Sequence, residues 1–148
     1  MAVQGPIPVE FAHVFPHGAY AAGQFEAVRD FEASSGDRFV QSKDKATGAP
    51  LWAVEVIDAD PEARQRTVKV KVAAQYQPVL PDGPAGSPFV PVEFEGLQAT
   101  PYVDASRCRA KETGKCGARM AYSLKATGVR APSRGISRPA PESHKDAA

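Results

Sequence analysis

The chain has 148 residues with a formal net charge of +1, 43% hydrophobic residues, fourteen Pro and twelve Gly. That size suits one domain and is too small for two full cores, and the composition excludes both a wholly disordered chain and a long-helix architecture. No apolar run approaches the length of a bilayer-spanning helix, and Met1–Pro8 lacks the basic start and apolar stretch of a secretory signal, so the expectation is a cytoplasmic protein with no membrane partner.

Pro8–Phe15 alternates, with Val9, Phe11, His13 and Phe15 on one side, and predicts a first strand turned by Pro16-His17-Gly18. Ala19–Phe31 fits a bent strand or a short helix, with strand favoured by Gly23 and the β-rich surroundings. Asp37–Gln41 and Pro50–Ile57 flank a polar stretch ending at Gly48 and predict a hairpin. On its second arm Trp52, Val54 and Val56 share one face. Asp58–Arg66 opens with an acid followed by Pro and Glu, the start signal of a short helix. Thr67–Ala73 predicts a half-buried strand, with Val68, Val70 and Val72 inward and Lys69 and Lys71 outward.

Gln77–Pro88 reads as an irregular connection, and Val90, Val92 and Phe94 as the inner face of another strand. Pro91 argues that this strand is an edge, or is only beginning there. Leu97–Val103 continues the sheet after Gly96, and Arg119–Ala126 closes it with Met120, Tyr122 and Leu124 on one face. From Ala131 onward Ile136 is the only large apolar residue, which predicts a flexible polar tail over 131–148 after a single domain over 1–130. The fold class is therefore all-β: a small OB-like Greek-key barrel or, second, a β-sandwich, with at most one short helix.

Charge is sorted along this framework. Ala105–Arg138 holds nine Lys and Arg against the single acid Glu112, whereas the first 65 residues hold five basic and ten acidic side chains. A concentrated positive segment in a nearly neutral chain points to a polyanionic partner. The residues expected to meet nucleic-acid phosphates are Arg107, Arg109, Lys111, Lys115 and Arg119 in the last loop, with Lys69, Lys71 and Lys125 on strand faces. Lys69 and Lys71 are ~7 Å apart along one strand face, comparable with successive phosphates. A solvated loop and an ordinary polar strand face explain the same residues without a ligand.

Trp52, Tyr76, Phe89, Tyr102 and Tyr122 are candidates for base stacking, and core packing is the better account of Trp52 and Tyr122. Asp58 and Asp60 are explained by helix capping. His13, His17 and His144 have no metal-ligand spacing with one another or with the cysteines, and no nucleophile elbow, phosphate-binding loop or zinc-protease pattern occurs. No catalytic, metal or cofactor residue is assigned, and a non-enzymatic role is expected. Cys108 and Cys116 can close a small loop on oxidation but are expected as free thiols in a reducing cytoplasm.

Several segments together resemble one family: Gly5-Pro-Ile-Pro-Val, Phe15-Pro-His-Gly-Ala-Tyr20, Leu51-Trp-Ala-Val-Glu-Val-Ile-Asp-Ala-Asp60, Lys69-Val-Lys-Val, Pro91-Val-Glu-Phe-Glu-Gly-Leu97 and Ala121-Tyr-Ser-Leu-Lys-Ala-Thr-Gly128. They are similar to the actinobacterial activators of plasmid replication, integration and excision, over roughly Gly5–Pro132. The resemblance implies a regulatory role in the life of an integrative or conjugative plasmid, promoting the replication and excision machinery. Two modes of action fit that role: binding DNA, single- or double-stranded, or holding a replication protein, recombinase or repressor without touching DNA.

Overall fold

The computed structural model describes residues 4–133, and these build one curled sheet of eight strands with two single-turn helices. The elements are β1 (Ile7–Pro8), α1 (Phe11–Val14), β2 (Ala19–Ala27), β3 (Leu51–Asp58), β4 (Thr67–Ala73), β5 (Phe89–Glu95), β6 (Gln98–Asp104), α2 (Ala110–Thr113), β7 (Arg119–Ala126) and β8 (Gly128–Arg130). Their order across the sheet is β1-β6-β7-β4-β3-β2-β5-β8. All pairings are antiparallel except β4 with β7, which runs Val70–Val72 alongside Leu124–Ala126.

Thr127 alone separates β7 from β8, so one continuous stretch of chain pairs first with β4 and then with β5. The sheet therefore curls back on itself, which is the barrel-like form of the all-β expectation rather than two stacked sheets. Period-two alternation fills the interior: Ala19, Ala21 and Phe25 from β2, Val54 and Val56 from β3, Val70 and Val72 from β4, Val92 and Phe94 from β5, Leu124 and Ala126 from β7. Burying each large aliphatic or aromatic side chain stabilises the fold by roughly 1.5–3 kcal/mol before entropy is counted. In β2, three residues from Gly23 to Phe25 lie opposite Val54 alone, a bulge that Gly23 permits at φ +96° and that re-aims Phe25 into the core. Pro91 has β2 on one side only, since β8 begins to pair at Glu93; a missing amide is tolerated there.

Four local expectations change. The Pro8–Phe15 strand is instead the two-residue β1 followed by α1, because Phe11, Val14 and Phe15 must all lie over one end of the barrel, and only helical spacing brings them there. The Phe11 ring sits 5.3 Å from Phe15 and 6.4 Å from Phe94, while His13 is exposed. The Asp58–Arg66 helix is a hairpin loop: the Asp58 amide donates to the Arg66 carbonyl at 2.7 Å, and the Asp58 and Asp60 carboxylates accept from the Asp60 and Glu62 amides at 2.9 Å each. Those carboxylates cap turns rather than a helix.

The Asp37–Gln41 arm is not a strand. Arg29 pairs with Gln41 and Lys43 with Pro50 as isolated bridges, Phe39 is exposed, and the true partners of β3 are β2 and β4. The return at Gly48 does form, with its amide donating to the Asp44 carbonyl at 2.7 Å. The fourth change is the helix count, two rather than at most one, because α2 lies inside the basic loop. At the far end, the Ser133 amide and hydroxyl both donate to Glu93 at 3.0 Å, so the first residues of the expected tail lie against β5. Residues 134–148, with Arg134 and Arg138, lie outside the described residues.

Candidate nucleic-acid interface

The β6–β7 hairpin outgrows its sheet. Its register runs from Gln98 opposite Lys125 to Asp104 opposite Arg119, yet β4 accompanies β7 only over Leu124–Ala126 and β1 accompanies β6 only at Gln98 and Ala99. Thr100–Asp104 and Arg119–Ser123 therefore form a two-stranded arm that pairs with no third strand among the described residues. The inner face of the hairpin starts in the core, with Ala99 and Leu124 buried, and continues along the arm as Pro101, Val103, Met120 and Tyr122. There it is uncovered: Val103 is 65% exposed, Met120 61% and Tyr122 62%. Tyr102 lies on the opposite face and is 51% exposed.

The basic loop caps this arm. The Ser106 amide donates to Asp104 Oδ1 at 3.1 Å and the Cys108 amide to the Ala105 carbonyl at 2.9 Å, which turns the chain into α2. Gly114 ends α2 in the left-handed region at φ +70°. The return strand passes close enough to the outgoing one that a Cβ on Gly117 would lie 2.7 Å from the Arg107 carbonyl oxygen. Cys108 and Cys116 face each other as an antiparallel bridge at the loop's mouth, both as free thiols.

Arg107, Arg109, Lys111 and Lys115 are all exposed on this loop, and none makes a salt bridge among the described residues. Arg119 marks the base of the loop, where its Nε lies 3.4 Å from Asp104 Oδ2. The Asp104 carboxyl is held below its ordinary range, first by its hydrogen bonds with Ser106 and then by Arg119. The arrangement offers an exposed row of charged donors beside an aromatic and aliphatic face, the two chemistries that meet phosphates and bases.

The strand cations are placed differently. Lys69 is exposed on the outer wall, with Glu55 as its cross-strand neighbour. Lys71 is half-buried and lies opposite Lys125 in the parallel β4–β7 register. Lys125 Nζ donates to Asp44 Oδ1 at 2.6 Å, so its charge is engaged inside the protein. Lys69, Lys71 and Lys125 thus belong to the barrel wall, while Arg107, Arg109, Lys111, Lys115 and Arg119 gather on the arm.

Trp52 packs against the core and its indole donates to the Ala74 carbonyl at 3.0 Å. Tyr122, expected in the core, is instead the most exposed aromatic of the arm, because alternation tells which residues share a face but not where the covering layer stops. Tyr76 and Phe89 are also exposed, away from the basic loop in sequence. Among the described residues no three His, Cys, Asp or Glu side chains gather as a metal site, and no helix is long and apolar enough to cross a membrane. Comparison of the chain with protein-family models, curated proteins and solved structures gave no match.

Proposed function

We propose that this chain is a non-enzymatic accessory protein that binds nucleic acid along the β6–β7 arm, with the basic loop on the phosphates and the exposed face of Tyr122 against bases. The observation that carries the reading is the conjunction, on one two-stranded arm, of four exposed cations with no salt bridge among the described residues and an uncovered apolar face. Either feature alone is common on protein surfaces; together they match a ligand that is anionic along one side and aromatic along the other. A β-ribbon is also of a size that enters a duplex major groove, so the arm suits either strand state. The proposed setting is the replication and excision machinery of an integrative or conjugative plasmid, as the family resemblance implies.

Four phosphate contacts, from Arg107, Arg109, Lys111 and Lys115, give a salt slope of about −2.8 on single strands and about −3.6 on duplex, hence a loss of roughly two orders of magnitude in affinity from 50 to 200 mM salt. Titration of fluorescent single- and double-stranded DNA of matched length at several salt concentrations measures this slope. Replacing Arg107, Arg109 and Lys111 with Ala flattens it by about two to three units. An unchanged slope removes the loop from the interface, and no binding to either DNA removes the reading altogether.

The same uncovered face and the free backbone edges of the arm also suit a protein partner by strand addition. Retention of a replication protein or recombinase after nuclease treatment, with no DNA binding by the purified chain, favours that second reading.

A further inference from the structure

Cys108 and Cys116 lie at a place where a covalent link changes the loop and little else. They are direct partners across an antiparallel bridge. Such partners have Cα atoms about 4.5–5.5 Å apart, inside the range that a disulfide spans without backbone movement. Cys116 is exposed and Cys108 is partly so, which places the pair at the surface, within reach of a small oxidant. Between them run α2 and the cations Arg109, Lys111 and Lys115. From the register and the exposure we infer that Cys108 and Cys116 are a reversible dithiol–disulfide couple, a redox modification site that closes the mouth of the basic loop and sets its conformational freedom.

The oxidant class is a small disulfide such as glutathione disulfide, an anionic molecule that the loop's cations attract. One cysteine thiolate attacks a glutathione sulfur, forming a mixed disulfide and expelling one glutathione thiolate. The second cysteine thiolate then attacks the protein sulfur of that mixed disulfide, expelling the second glutathione. The protein loses two electrons and two protons, and both go to the two glutathione thiols. The Cys108 thiol is held below its ordinary value, chiefly by its hydrogen bond with Cys116 and then by the Ala110 backbone, which raises the thiolate fraction available for the exchange. The bond encloses a short surface loop outside the core, so the barrel is the same in both forms.

The consequence for binding rests on the nucleic-acid reading above. A closed loop presents its cations with part of the ordering already done, and the oxidised form binds DNA roughly three- to tenfold more tightly than the reduced form. The test equilibrates the full chain with reduced and oxidised glutathione at graded ratios. Intact mass then identifies the product, limited trypsin digestion reads the loop at Arg109, Lys111 and Lys115, and DNA titration follows on each form and on Cys108→Ser and Cys116→Ser. The expected result is a monomer lighter by two hydrogens, slower loop cleavage, tighter binding, and loss of all three in either Ser variant. Glutathione adducts or intermolecular dimers in place of that monomer overturn the couple even if the reduced chain binds DNA. Closure with slower cleavage but no DNA binding by either form upholds the couple and defeats the nucleic-acid reading. Closure with unchanged cleavage and equal affinities overturns control of the loop.

Discussion

Asp44 is the one buried charged residue in the described structure, and its removal is the sharpest available test of how the 42–50 turn is held to the sheet. Asp44 Oδ1 accepts from Lys125 Nζ at 2.6 Å and Oδ2 accepts from the Thr47 hydroxyl at 2.9 Å, with the two charged side chains 7% and 24% exposed. Breaking a fully buried pair by removing one partner costs about 3–5 kcal/mol, and exposed pairs contribute about 0–1 kcal/mol. With Lys125 a quarter exposed, Asp44→Asn lands between them, at about 1–3 kcal/mol. Lys125→Met costs somewhat more, about 2–4 kcal/mol, because it strands the carboxylate, the better buried member.

The double variant recovers part of the loss, and the coupling energy from urea denaturation of all four proteins is about 1–3 kcal/mol. The pair also predicts a pH signature. Lys125 above all holds the Asp44 carboxyl below its ordinary value of 3.8. The folded state therefore favours the ionised form: the stabilisation is complete above the unfolded-chain value and is lost as pH falls through the lower folded-state value. The stability gap between wild type and Asp44→Asn accordingly narrows as the pH falls below about 4. A coupling energy under about 0.5 kcal/mol, or a gap constant across that window, refutes the assignment of the pair as a tether.

Three further outcomes follow from named contacts. Tyr122→Ala leaves stability within about 0.5 kcal/mol in a thermal melt, because the ring is already exposed, yet weakens single-stranded DNA binding by about 1–3 kcal/mol; an unaltered affinity excludes Tyr122 as a stacking platform. Gly96→Ala destabilises the chain by more than about 1 kcal/mol in urea, since φ is +58° there and the added Cβ presses on the Thr127 side chain at the junction of β7 and β8; an unchanged midpoint would falsify the close approach. Trp52→Phe, which keeps an aromatic against the core but loses the 3.0 Å bond to the Ala74 carbonyl, costs about 1 kcal/mol, and a neutral result means that water replaces the indole.

The strands that carry β-branched residues at period two were readable from sequence. Val54 and Val56, Val70 and Val72, and Val92 with Phe94 are buried as alternation requires. Segments whose conformation is chosen by distant neighbours were not. Phe11, Val14 and Phe15 satisfy a helical turn only because Phe94 waits at the barrel end, and Asp37–Gln41 lacks a strand because β2 and β4 already occupy both edges of β3. At the candidate interface the basic loop was visible as a run of charge, whereas the engagement of Lys125 by Asp44, eighty-one positions away, left no local trace. The exposure of Met120 and Tyr122 was equally hidden, because it depends on where β4 stops accompanying β7.

The continuous stretch from Arg119 to Arg130 decides when this protein can finish folding. Until it arrives, β4 and β5 each present an open row of amides and carbonyls, and the interior lacks the wall formed by Leu124 and Ala126. A ribosome-bound or cleaved chain that ends within β7 thus holds a hydrophobic sheet with two unsatisfied margins, the condition that invites intermolecular pairing. Closure joins strands far apart in sequence, which makes it a late and slow event compared with the β3–β4 hairpin. The arm that presents the basic loop is hence anchored only once β7 and β8 have docked on β4 and β5, so a chain caught before that step lacks both its completed core and its seated loop.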